Sequence, residues 1–241
     1  MTGTPARRVQ DYLRAVLEPE REAVAAGAFV FYVHPTEAHT YLNYAIPRPD
    51  AREGDGRELQ CVARERERRP RLEYIEECFP WVAGALAAQG FELQDRLALM
   101  VCPPQRCSEP AVQAEIRPVT PELVAAMRTV QNAAFGDPPP TPEAIARWRG
   151  NAVVALVDGE VVGAAQFSAV VDGLTEIGGV AVAPEHRRRG LGAALTSAAT
   201  RAAYDRGAEL AVLTPGDDDP RRVYERVGFR AAATMVHLIA P

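Results

Sequence analysis

Two spacings of apolar residues alternate along the second half of this chain, and they predict its elements. Leu123, Met127 and Val130 follow helical spacing behind Thr120-Pro121-Glu122, a cap residue with proline at the first helical position. Gly136 and the prolines at 138–140 stop that helix, and "TPEAIARWRG" (141–150) repeats the start signal for a short second one. "NAVVALVDGEVVGAAQFSAV" (151–170) holds two β-branched apolar runs joined by Asp158-Gly159, a strong hairpin signal. "LTEIGGVAVAP" (174–184) reads as a third strand ended by Pro184. From Gly190 onward Leu191, Ala194, Leu195, Ala198, Ala199 and Ala202 fall on one helical face. Gly207 ends that helix, "AELAVLT" (208–214) is a strand, "PRRVYERVGF" (220–229) a short helix closed by Gly228, and "RAAATMVHLIA" (230–240) the last strand. Helices and strands in this order predict a mixed α/β domain built around one sheet.

The first half is less patterned. Residues 6–26 read as helical, and 28–34 and 39–46 as strands. "RERERR" (64–69) alternates charge sign and reads as a solvated face. Four prolines in "VCPPQRCSEPAVQAEIRP" (101–118) break helices and weaken strands, so 103–114 is expected to be a linker between domains at 1–110 and 115–241. An internal echo links the halves: "LAAQGFELQDRLALM" (86–100) has the layout of "YERVGFRAAATMVHL" (224–238), helix end, Gly-Phe, then strand. Two readings stand: a duplication, or the ordinary habit of ending helices on glycine.

Composition narrows the function classes. The 241 residues are 47% hydrophobic and 24% charged, with a formal net charge of −5, values ordinary for a globular protein and contrary to a nucleic-acid binder. The first twenty residues lack an apolar signal core, and nowhere do 18 apolar residues run uninterrupted, so a cytoplasmic protein is expected, with no membrane partner. Cys61, Cys78, Cys102 and Cys107 have no CxxC spacing and read as reduced thiols, with no metal site expected. His34 and His39 lack a third ligand nearby and read as strand or surface chemistry.

Against the acidic total, "VAVAPEHRRRGLGAAL" (180–195) sets His186 and three arginines directly before Gly190-Leu191-Gly192. A strand that turns through glycines into a helix gathers unpartnered N–H groups at the positive end of the helix dipole, where a phosphate satisfies both. No Gly-Lys-Ser/Thr and no GxGxxG follows the strand, which excludes two familiar phosphate loops. Arg187-x-x-Gly190-x-Gly192 behind the apolar Val180-Ala181-Val182 resembles the Q/R-x-x-G-x-G/A signature of the GNAT superfamily of acetyl-CoA-dependent N-acetyltransferases. "VYERVGF" (223–229) resembles that family's second signature at the right distance. The likeness covers 115–241, and 1–110 only through the echo.

The resemblance implies a GNAT-like α/β fold, a central mixed, mostly antiparallel sheet flanked by helices. It also implies that acetyl-CoA lays its pyrophosphate on the backbone of Arg188, Arg189, Gly190, Leu191, Gly192 and Ala193. The pantetheine arm would run along Val180 to Val182, where the strand splays from the next. Tyr224 aligns with the tyrosine that protonates the leaving thiolate in many members, and otherwise reads as a core aromatic. Glu176, eleven residues before Arg187, stands where some members carry a catalytic base, and otherwise reads as a strand-end glutamate. Asp217 occupies a position where many relatives carry asparagine, and an ionised carboxylate accepts hydrogen bonds without donating them, which alters any cofactor contact there. The partner expected is a small-molecule or peptide amine, for a monomer or homodimer. The alternative is a non-catalytic module that binds acyl-CoA and needs neither Tyr224 nor Glu176.

Overall fold

The computed structural model describes residues 4–216 and 218–241. Contacts gather into two compact units, Met1–Leu99 with Ala231–Pro241, and Met100–Arg230.

The first unit opens with α1 (Pro5–Leu17), whose cap Thr4 accepts from the N–H of Arg7 ahead of a proline in the first turn. The helix ends at Leu17, and Glu22–Ala26 is strand β1 in place of the helical tail expected to 26. The reason is local: Pro19 cannot continue the helix, and Gly27, at φ +63°, reverses the chain so that β1 pairs antiparallel with β2 (Phe29–Val33). The strand expected over 39–46 starts late, because residues 40–42 form a 3₁₀ turn before β3 (Tyr44–Pro47). Then follow α2 (Arg57–Glu65), β4 (Arg71–Ile75), α3 (Val82–Ala87) and the start of β5 (Glu92–Cys102). β3 lies antiparallel to β2 and parallel to β4. Phe29, Phe31, Leu59, Leu72 and Phe79 form its core, together with Val236 and Leu238. The last two come from β11 (Arg230–Ile239), which pairs antiparallel with β4.

The C-terminal strand is therefore part of the first unit, and the second ends at Arg230 where 241 was expected. Apolar alternation shows that residues 230–240 make a strand but not which strand they pair with.

The second unit holds β6 (Glu115–Pro118), α4 (Val124–Phe135), α5 (Pro142–Arg147), β7 (Asn151–Val157), β8 (Glu160–Phe167), β9 (Leu174–Val182), α6 (Leu191–Tyr204), β10 (Leu210–Leu213) and α7 (Asp218–Val227). β6 to β9 pair antiparallel in sequence order. β9 then runs parallel to β10, which pairs antiparallel with Met100–Cys102 of β5. The fold is thus the expected mixed, mostly antiparallel sheet with flanking helices. Asp158 and Gly159 both take positive φ, +52° and +83°, the conformation a two-residue hairpin needs.

The proline-rich stretch 103–114 is docked, in contrast to a free linker. The Ser108 N–H donates to the Val227 carbonyl (2.9 Å), its Oγ to that of Arg226 (2.8 Å), and its carbonyl accepts from Ser197 Oγ on α6 (2.6 Å). Proline bars a helix here without preventing the backbone from satisfying its polar groups against α6 and α7. Just beyond α7, Gly228 has φ +116°, and a Cβ there would overlap the Arg106 carbonyl oxygen. The glycine of the second signature is thereby explained by steric need.

The order β3–α2–β4–α3–β5 repeats as β9–α6–β10–α7–β11, with the first two strands parallel in each run. No helix among the described residues is long and apolar enough to cross a membrane.

Candidate functional site

The charged knot forms a turn of alternating backbone hand. Arg188 adopts φ +61° and Gly190 φ +84°, with Arg187 extended before them. Alternation of this kind turns successive N–H groups toward one point, an anion-binding concavity. Gly190 is the N-cap of α6, no side chain caps that helix, and its first turn holds no acidic residue. The orphan N–H groups of a fourteen-residue helix are therefore left for an outside acceptor.

A cavity of about 710 Å³ opens on this turn, walled by Val180 and Val182 of β9, Arg187 to Ala193 in part, and Pro220, Val223, Tyr224 and Arg226 of α7. Arg188, Gly190, Leu191, Gly192 and Ala193 line it. Arg189 instead lines a neighbouring hollow of about 550 Å³ with Val112 and His186, and Ala181 is buried in the sheet. The Arg187 Nε donates to the Val182 carbonyl (2.9 Å), tying the turn to the strand end.

Two features of the wall bear on what the cavity could hold. His186 lines it, with its Nδ1 turned into the protein, buried and without a hydrogen-bond partner among the described residues. A Cβ built on Gly192 meets only Val223 Cγ1, at 3.7 Å, so packing within the protein does not require that glycine. The space it leaves is open to a ligand. Pyrophosphate and a slender amide-bearing arm fit this donor set.

β9 follows β10 only over Leu174–Glu176, the last pair being Val212 with Glu176. Past Glu176 the two strands share no pair, β10 itself ending at Leu213, and Val180 and Val182 line the cavity. Glu176 is exposed at this last pair, its N–H donating to Ser168 Oγ (2.8 Å). It is not part of the cavity wall, whereas Tyr224 is. Tyr224 is half-buried, its ring edge-on to Phe229 with centroids 6.3 Å apart. Asp217 lies outside the described residues.

Sequence reasoning passed over Gln131, Gln166 and Arg226. Gln131 is buried on α4, and the signal for it was present: one polar residue on the apolar stripe of Val124 and Met127, with a Gly-Gly pair inside a strand pattern. His34 and His39 serve their turns: His34 Nδ1 accepts from the N–H of Thr36 (3.2 Å) and Glu37 (3.0 Å), and His39 Nδ1 from that of Tyr41 (3.4 Å).

All four cysteines are free thiols. Cys102 and Cys107 act on one another. Cys107, beside the Cys102 thiol and in contact with Ser197 Oγ (3.9 Å), with Arg201 nearby, is held below the ordinary thiol range despite its burial. Cys102, beside the Cys107 thiol and buried, with its own S–H donating to the Pro103 carbonyl (3.6 Å), is pushed up.

Comparison with known proteins agrees with this geometry. The model of the acetyltransferase (GNAT) family matches residues 122–229. The chain is 30% identical to a GCN5-related N-acetyltransferase from Kribbella flavida, with a TM-score of 0.84, covering all of this chain and 97% of that one. A GCN5-related N-acetyltransferase from Sphaerobacter thermophilus shares the fold (TM-score 0.65, 18% identity, 98% and 90% covered). So does a tandem GNAT protein from the clavulanic acid biosynthesis pathway (TM-score 0.65, 18% identity, 89% and 78% covered). No curated protein matches. From the turn at Gly190 to the full-length likeness, the chain belongs to the GCN5-related N-acetyltransferase (GNAT) family.

Proposed function

We propose that the protein transfers an acetyl group from acetyl-CoA to a primary amine by direct attack. The observation that carries this is the uncapped, acid-free N-terminus of α6 behind left-handed Arg188 and Gly190, opening on a cavity that Gly192 leaves unfilled.

The backbone N–H groups from Arg188 to Ala193 hold the pyrophosphate, and Arg188 adds charge that the exposed loop keeps near. The free edge of Val180 to Val182 takes the pantetheine amides as an added strand would. Bound there, acetyl-CoA supplies the acyl group as a thioester. An alkyl ammonium, with an ordinary pKa near 10.4, must lose a proton before it attacks; Glu176, where the pairing of β9 with β10 ends, receives it, directly or through water. As the new C–N bond forms and the C–S bond breaks, Tyr224 gives its hydroxyl proton to the departing sulfur; the second proton of the attacking nitrogen passes to solvent, and solvent reprotonates Tyr224.

The repeated β–α–β–α–β order supports a tandem ancestry in which 1–110 descends from a GNAT copy and the second copy acts. The chemistry of the two helix starts explains the division of labour. At α2 the Gly56 N–H is bonded to Gln89 Oε1 (2.6 Å), the Arg57 N–H to Asp55 Oδ1 (3.0 Å), and Glu58 stands in the first turn. Those groups already satisfy and repel what a diphosphate would meet, so one acetyl-CoA per chain is expected. Reduced cysteines suit a cytoplasmic setting.

Turnover with a panel of amines, followed by release of free thiol from acetyl-CoA, tests the reading. Thiol release that depends on the amine supports it. Binding of acetyl-CoA without turnover of any amine selects the non-catalytic acyl-CoA module, which the position of Glu176 outside the cavity wall favours.

A further inference from the structure

Gln131 is 2% exposed, on the face of α4 that packs against the sheet. Its Nε2 donates to the Gly179 carbonyl (2.7 Å), and its Oε1 accepts from Gln166 Nε2 on β8 (2.7 Å). An apolar side chain of the same size would fill this place without the desolvation that a buried amide costs. The amide is therefore kept for what it holds.

What it holds is an irregular peptide. β8 pairs Ala164 with Ala181 and Gln166 with Gly178, so β9 spends three residues where β8 spends two, and Gly179 and Val180 fall inside the bulge. Gly179 has φ +58°, and a Cβ there would lie 2.6 Å from Gln131 Nε2. Conformation and close approach both demand glycine. In a trans peptide the carbonyl of one residue and the N–H of the next point in opposite directions. With the Gly179 carbonyl tied toward α4, the Val180 N–H is turned away from α4, and Val180 lines the cavity.

We propose that Gln131 is a positioning residue for acyl transfer, fixing the Gly179–Val180 peptide so that the Val180 N–H meets the thioester carbonyl oxygen as charge builds on it, with Gln166 fixing the orientation of the Gln131 amide. The inference rests on the acetyl-transfer reading. Preorganised backbone donors at a developing oxyanion are among the largest contributions to catalysis. A peptide free to rotate in a glycine-rich bulge supplies such a donor only part of the time.

Gln166 gives the proposal a sharp consequence. Gln166→Glu removes the donor that faces Gln131 Oε1 and presents an acceptor, so the Gln131 amide turns over and offers its oxygen to the Gly179 carbonyl, at almost unchanged volume. A merely space-filling role would not register that change.

The test compares native protein, Gln131→Leu and Gln166→Glu in three readouts: steady-state kinetics, calorimetric affinity for coenzyme A, and the infrared carbonyl stretch of bound acetyl-CoA carrying ¹³C at the thioester carbon. Expected for both variants is a kcat about 30-fold lower, below the 10²–10³ seen when an oxyanion donor is lost outright. Coenzyme A affinity holds within about threefold, since the phosphate contacts are untouched, and the carbonyl band shifts back toward its frequency in water. A kcat within about twofold of native, or a lost kcat with an unmoved band, overturns the proposal. Should Gln131→Leu fail to fold, Gln166→Glu decides by the same readouts. Native protein that binds no coenzyme A refutes the acetyl-transfer reading itself, whereas native turnover with indifferent variants refutes this role alone.

Discussion

The Arg187 Nε and the Val182 carbonyl lie 2.9 Å apart, so the first arginine of the signature is spent on the protein's own backbone. It joins the end of β9 to the turn that enters α6 and sets where the following N–H groups point. Arg187→Ala is expected to weaken acetyl-CoA binding about 10-fold, with a stability change under about 1 kcal/mol because the side chain is exposed. Arg187→Lys, which keeps the charge and loses the planar fork, recovers little of it. Titration calorimetry beside thermal melting reads both quantities.

Gly190 and Gly192 are expected to respond oppositely to alanine. Gly190 is left-handed and its added Cβ would meet Val112 Cγ1 at 3.3 Å, so Gly190→Ala costs roughly 1–2 kcal/mol. Gly192 sits in the first turn of α6 with no close neighbour, where alanine raises helix propensity by up to about 1 kcal/mol. Gly192→Ala thus melts no lower than native yet loses about tenfold or more in acetyl-CoA affinity, as its methyl enters the pyrophosphate space. Chemical denaturation and calorimetry on the pair separate the two roles.

Tyr224→Phe keeps the edge-on contact with Phe229 and removes only the hydroxyl. A kcat about 10²-fold lower, inside the range for general acid catalysis, is expected with both KM values and the melting temperature unchanged. A kcat within about twofold of native, or a loss matched by a lowered melting temperature, would instead make Tyr224 a packing residue.

Cys107 should show its lowered pKa in its alkylation. Because the Cys102 thiol, Ser197 and Arg201 lie around its sulfur, more of it is thiolate at a given pH, and iodoacetamide modification rises at a lower pH than for a simple thiol. Cys102, raised and buried, stays unmodified over that range. Peptide mapping after alkylation across pH 6 to 9 checks the order.

The parts of the fold read correctly from the chain are those set by neighbours in sequence. The Asp158-Gly159 hairpin, the stop at Gly136 and the turn at Arg187–Gly192 are each determined by residues within a few positions, through φ preferences and capping. The parts that escaped are those that tertiary partners decide. Residues 22–26 become strand because Phe29–Val33 lie across from them, and β11 joins β4 through pairs far apart in sequence. Gln131 meets Gly179 only after α4 has packed on β9. The second glycine of the signature has no packing reason within the chain, its added Cβ meeting only Val223 Cγ1 at 3.7 Å.

Titration of acetyl-CoA into the native protein, with Gly192→Ala alongside, bears most directly on the cradle at α6. One molecule bound per chain, with affinity that collapses in the glycine variant while its fold persists, is the predicted result. A well-folded native protein that takes up no acetyl-CoA, or one whose binding is indifferent to Gly192, contradicts it.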